Sequence, residues 1–123
     1  MDDISNIRIT DINNRFLERL VKDCSIFKDD KSAAMFAISF AINHDLDQNI
    51  DESYTLESPT INKWDANSID SSGLFRLLIS KRHPDTECPF RIIQGVLDKG
   101  LNGMRSLAPD NGFINISEYV HKD

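Results

Sequence analysis

Residues 26–46 read IFKDDKSAAMFAISFAINHDL, and this run decides the fold. Four charged residues, Lys28, Asp29, Asp30 and Lys31, lead into ten residues, 33–42, that are apolar except for Ser39. A helix apolar on every side is stable only when other elements surround it, so the run reads as the central post of a small helical domain, over about 31–44. It is too short to cross a bilayer. Ala33, Ala34, Ala37 and Ala41 are small, so other helices can approach it closely. Asp29 or Asp30 supplies its cap.

On the N-terminal side, 4–10 alternates as a short strand, with Ile7 and Ile9 on one face and Asn6, Arg8 and Thr10 on the other. Thr10 or Asp11 caps a first helix of about 11–24, carrying Ile12, Phe16, Leu17, Leu20, Val21 and Cys24 at helical spacing. On the C-terminal side, 45–63 is a polar, acidic connector with Pro59 as a breaker and a short strand near Tyr54. A third helix runs from Ser71 or Ser72 to Arg82 and stops at His83-Pro84. Thr86 caps a fourth, whose stripe runs through Phe90, Ile93, Val96, Leu97, Leu101 and Met104. Gly95, Gly100 and Gly103 lie along that helix and imply close backbone approach. After a turn at 109–112, an arm or strand follows at 113–120. The expectation is a mainly α, single-domain chain, 1–123: a strand-helix-helix unit (4–44), the connector, the helices of 71–107 and a terminal strand. No internal repeat is visible in the sequence.

Composition narrows the function classes. Forty per cent hydrophobic and 28% charged residues describe an ordinary globular chain. The first residues are acidic and form no signal peptide, so a cytoplasmic protein with free thiols at Cys24 and Cys88 is expected. The net charge is −6, and residues 45–70 carry seven acids against Lys63 alone. Only 71–107 has a positive surplus, from Arg76, Lys81, Arg82, Arg91, Lys99 and Arg105. These six are the expected contact for DNA backbone or for an acidic partner.

Catalytic and metal signatures do not assemble. Asp45, Asp47, Asn49 and Asp51 have the alternate spacing of a calcium loop, but Ile50 and Leu56 stand where the loop needs glycine and glutamate. A solvated acidic connector is the expectation. Cys24, His44, His83, Cys88 and His121 lack paired zinc spacing, and Cys88 reads as a buried structural thiol. Asp65 and Asp70 read as helix caps. No nucleophile motif or phosphate loop is present in the sequence. No cofactor, no metal and no catalysis are expected.

The order strand, helix, turn, helix is also that of a ribbon-helix-helix domain, which dimerises through its strand and lays the paired ribbon in the major groove. In that reading Asn6, Arg8 and Thr10 face bases, and the amides opening the second helix, near Lys31 and Ser32, hold a phosphate.

The strings IFKDDKSAAMFAISFAI (26–42), SSGLFRLLI (71–79) and FRIIQGVLDKGL (90–101), with a polar connector ending at Trp64, resemble small proteins of bacterial anti-phage defence loci. Two groups share the pattern: accessory proteins of DNA-phosphorothioation (Dnd-type) operons, and the middle components of ABC-three-component, Lamassu-like systems. The resemblance covers about 10–107 and rests on apolar helices and caps. It implies a non-enzymatic adaptor between an SMC-like ATPase and an effector, often a nuclease. Phase and spacing then nominate a partner groove on the third and fourth helices, around Phe75, Phe90 and the glycines.

Overall fold

The computed structural model describes residues 2–23 and 25–107. The elements are β1 (Asn6–Thr10), α1 (Asp11–Glu18), a π-helical turn (Arg19–Asp23), α2 (Asp30–Asn43), β2 (Thr60–Asp65), the single turn α3 (Ala66–Ile69), α4 (Leu74–Arg82) and α5 (Pro89–Leu107). The mainly α expectation holds, with five α-helices among the described residues rather than four. The proposed terminal strand at 113–120 and Cys24 lie outside the described residues.

Each start has a local cause. Thr10 Oγ1 accepts from Asn13 N at 3.2 Å and opens α1, and Asp29 accepts from Ser32 N at 2.7 Å and opens α2. Asp65 caps α3 through Asn67 N, at 3.0 Å. The third helix begins later than the sequence suggested. Gly73 adopts φ +78°, a left-handed conformation that suits glycine, and α4 starts after it. The Asp70 carboxylate accepts from Phe75 N (2.8 Å) and Arg76 N (3.0 Å), satisfying two amides of that first turn.

The second strand among the described residues is internal, where the sequence suggested only a polar connector. β2 pairs antiparallel with β1, with Arg8 opposite Asn62, Ile9 opposite Ile61 and Thr10 opposite Thr60. Lys63 is bulged out between the Ile7–Trp64 and Arg8–Asn62 pairs. Tyr54 and its neighbours form no strand. Ile7, Ile9 and Trp64 face the core, and Asn6, Arg8 and Asn62 face solvent.

The order strand, helix, helix thus occurs twice, as β1–α1–α2 and as β2–α3/α4–α5. The halves interlock. The strands pair with each other, α2 and α5 form the main helix–helix interface, α1 packs on α5, and α3 packs on α2. The duplication lies in topology and was invisible in the sequence, because the first helix of the second half is broken at Gly73 and the two halves do not share residues in register.

Ala33, Ala34, Ala37, Ile38 and Ala41 of α2 are wholly buried, but Met35, Ser39 and Asn43 are exposed, so the central-post reading holds for one side of the helix. That face consists of small residues because α5 crosses there. A Cβ on Gly100 would lie 2.1 Å from the Ala37 carbonyl oxygen. One core runs through both halves, from Ile7, Ile9 and Leu17 to Ile79, Ile93 and Leu101.

Candidate functional site

The ribbon places two of its three expected readers on the surface. Asn6 and Arg8 are exposed, whereas Thr10 is only 6% exposed and its hydroxyl caps α1, so Thr10 does not face outward as proposed. Arg8 donates from Nε and Nη2 to Thr60 Oγ1 across the ribbon (3.2 and 2.8 Å). Its backbone N–H donates to Gln94 Oε1 of α5 at 2.7 Å. One edge of β1 therefore pairs with β2 and the other is closed at Arg8 by α5. The ribbon is completed within one chain, with β2 where the strand-mediated dimer calls for a strand of a second copy.

The phosphate-holding role expected near Lys31 and Ser32 meets a carboxylate. The Ser32 amide is taken by Asp29, whose carboxyl these hydrogen bonds hold below the ordinary value. Asp30 pairs with Lys63 at 3.0 Å. The equivalent helix of the other half, α5, is closed in the same way: the Asp3 carboxylate accepts from Phe90 N (2.9 Å) and Arg91 N (3.0 Å). Each helix start that would attract a phosphate by its dipole already holds an anion. Because Asp3 reaches α5 from far along the chain, Asp3→Ala is expected to cost about 1 kcal/mol, read as a lowered denaturant midpoint with an unchanged m-value.

Four of the six basic residues, all arginines, are bonded within the chain. Arg76 Nε binds the buried Asp70 carboxylate at 2.8 Å, and its guanidinium lies over the Phe90 ring. Arg82 bridges Asp45 (2.8 Å) and Asp47 (2.7 Å). Arg91 donates to the Asp2 carbonyl, and Arg105 donates to Asn13 and Asn102. Lys99 Nζ lies 5.8 Å from the Tyr54 ring centroid, and Lys81 stands exposed on α4. The arginines are tethers between elements. A glutamate at Arg105 would sit beside the buried Asp98 network, so charge reversal there reports on folding and not on a surface.

The connector is also not a simple solvated loop. Asp47 is 1% exposed and receives Arg82 and His83 Nε2 (2.9 Å). Burial pushes its carboxyl up, but the bonds from Arg82 and His83 outweigh this and hold it below the ordinary value. Its bonds to Asp47, and next to Asp45, hold the Arg82 guanidinium above its own.

The expected groove at Phe75, Phe90 and the glycines is filled from within. Phe75 and Phe90 are buried, Gly95 faces Ile50 and Tyr54, Gly100 faces Ala37, and Gly103 faces Phe40 and Leu46. Apolar surface appears elsewhere: Leu74 and Leu77 on α4 are 53% and 52% exposed. Cys88 is buried, as expected.

Sequence reasoning missed the polar seam between α1 and α5. Asp98, 6% exposed, accepts from Tyr54 Oη (2.6 Å), Asn13 Nδ2 (3.2 Å) and Asn102 Nδ2 (3.4 Å). Burial raises the Tyr54 hydroxyl above its ordinary value, and the Asp98 and Glu57 carboxylates add to that. Above the seam lies a cleft of about 450 Å³, walled by the start of α1, residues 54–59 and the polar face of α5. The helical spacing of Asp98, Asn102 and Arg105 was a signal of a shared face, but their partners come from distant segments.

No protein-family model, curated protein or solved structure matches the chain.

Proposed function

We propose that this protein is a non-enzymatic adaptor subunit of a DNA-directed bacterial defence complex, working in the cytoplasm. It bridges an SMC-like ATPase and a nuclease effector. The observation that carries the reading is on α4, where Leu74 and Leu77 are more than half exposed on a nine-residue helix. Two such leucines beside each other, with Lys81 one turn on, suit an apolar contact with a charged rim. Of the six cations that would grip DNA backbone, the four arginines are instead bonded to carboxylates, amides and a carbonyl of the chain itself, while Lys81 and Lys99 are exposed. No helix among the described residues is long and apolar enough to cross a membrane. The adaptor and its membership in such a complex rest on this surface together with the sequence resemblance.

The test is co-purification with the neighbouring gene products. Leu74→Ser with Leu77→Ser removes only exposed side chains, so stability changes by less than about 1 kcal/mol. Retention of the partner is expected to fall at least tenfold, as hot-spot truncations do. Undiminished retention by the double variant rejects α4 as the docking surface.

The second reading is a DNA-binding regulator using the ribbon, and exposed Asn6 and Arg8 favour it. It requires that the protein shift a specific duplex at about 150 mM salt, with Arg8→Ala abolishing the shift. The carboxylates at both second-helix starts argue for the adaptor, which shows no such shift.

A further inference from the structure

We propose that the chain's own C-terminal segment, residues 113–120, covers an apolar groove between α2 and α4. The proposal does not rest on the docking surface at Leu74 and Leu77, which do not line this groove.

The outer side of α2 is more apolar than a solvated helix face. Phe36, Phe40 and Ile42 are only partly buried, and Met35 is 39% exposed. Phe27, Phe36, Phe40 and His44 form a row of rings, with successive centroids 5.3, 6.4 and 4.4 Å apart. Phe36, Phe40, Ile42 and His44, with Leu78 of α4, line a groove of about 410 Å³. Its described lining holds no carboxylate, lysine or arginine, so apolar and aromatic side chains fit it better than a charged ligand does.

Position and composition select the occupant. α5 meets the edge of the groove at Gly103, where a Cβ would lie 3.1 Å from the Phe40 ring. Its last residue, Leu107, is one turn further, about 6 Å along the helix. Residues 108–112 can then span about 17 Å. That exceeds the roughly 12 Å that α2 covers from Phe36 to His44, so 113–120 begins within reach of the whole groove. The segment reads FINISEYV, with Phe113, Ile114, Ile116, Tyr119 and Val120 to bury and Glu118 as its one charge. The rings of Phe113 and Tyr119 suit the aromatic row on α2. On so short a tether the segment competes at an effective concentration on the order of millimolar, which a separate protein must supply for itself.

The experiment is isotope-edited NOE spectroscopy of the full chain. NOEs are expected between side chains of 113–120 and at least two of Phe36, Phe40 and Leu78. A sample mixed from labelled and unlabelled chains separates contacts within a chain from contacts between copies. Phe113→Ser with Tyr119→Ser is expected to shift the Phe36 and Phe40 ring resonances and to leave the amide resonances of β1 and α1 in place. Three results overturn the proposal: no NOE from the segment to the groove, NOEs only between copies, or Phe36 and Phe40 rings that the double variant does not shift.

Discussion

Gly100→Ala is expected to destabilise the protein by about 2–4 kcal/mol, lowering Tm by about 10 °C. A Cβ at this position would sit 2.1 Å from the Ala37 carbonyl oxygen and 2.8 Å from its carbonyl carbon. Both are backbone atoms of α2, so no rotamer change relieves the overlap and the helices must separate. Separation opens gaps around Ala33, Ala37 and Ala41, which have no long side chains to fill them. The gain in helix propensity, about 1 kcal/mol, does not offset this. Gly103→Ala is the control. Its new methyl meets the ends of Phe40 and Leu46 at 3.1 and 3.2 Å, side chains that can shift, and the net change is expected below about 0.5 kcal/mol. Chemical denaturation of the two variants checks the contrast. Equal effects would show that α2 and α5 do not cross at Gly100.

Asp47→Ala is expected to cost about 2–3 kcal/mol, because it strips Arg82 and His83 of a shared buried acceptor. Asp45 also binds Arg82 but its side chain is 60% exposed, so Asp45→Ala should cost less than about 0.5 kcal/mol. The pair fastens the turn after α2 to the end of α4. The pH dependence has a definite sign. The folded-state pKa of Asp47 lies below the ordinary carboxylate value, so its contribution is full above that value and is lost as pH falls through the folded pKa. Wild type should therefore lose stability more steeply than Asp47→Asn below about pH 4. Parallel curves down to acid would show that Asp47 is not held as described.

The parts of the fold legible in the sequence were those fixed by neighbours in the chain. The run 33–42 announced a helix packed among others because it offers almost no polar face, and Thr10 or Asp11, and Asp29 or Asp30, announced helix starts because capping needs an acceptor at one fixed offset, with Thr10 and Asp29 taking the role in the structure. The parts that were hidden depend on distant partners. The alternation of TINKWD is interrupted by Lys63, the bulged residue, so β2 did not stand out as the mate of β1. Gly73 splits the second half's first helix and disguised the repeated strand-helix-helix order. Charge counting found the surplus at 71–107 but could not assign Arg76 to Asp70 or Arg82 to Asp47, pairings made only in three dimensions. The Asp98 seam links residues as far apart as Asn13 and Arg105. The exposed leucines of α4 looked like core residues in sequence, and only their burial separates them from Phe75 and Ile79.

One chain supplies both halves of the ribbon, and we propose that α4 is kept for a different protein. Light scattering of the purified protein at about 50 μM, alone and mixed with the products of its neighbouring genes, tests this most directly. A 14.0 kDa monomer that moves into a larger complex when its partners are added is the expected result. A stable dimer whose mass ignores those partners would contradict it.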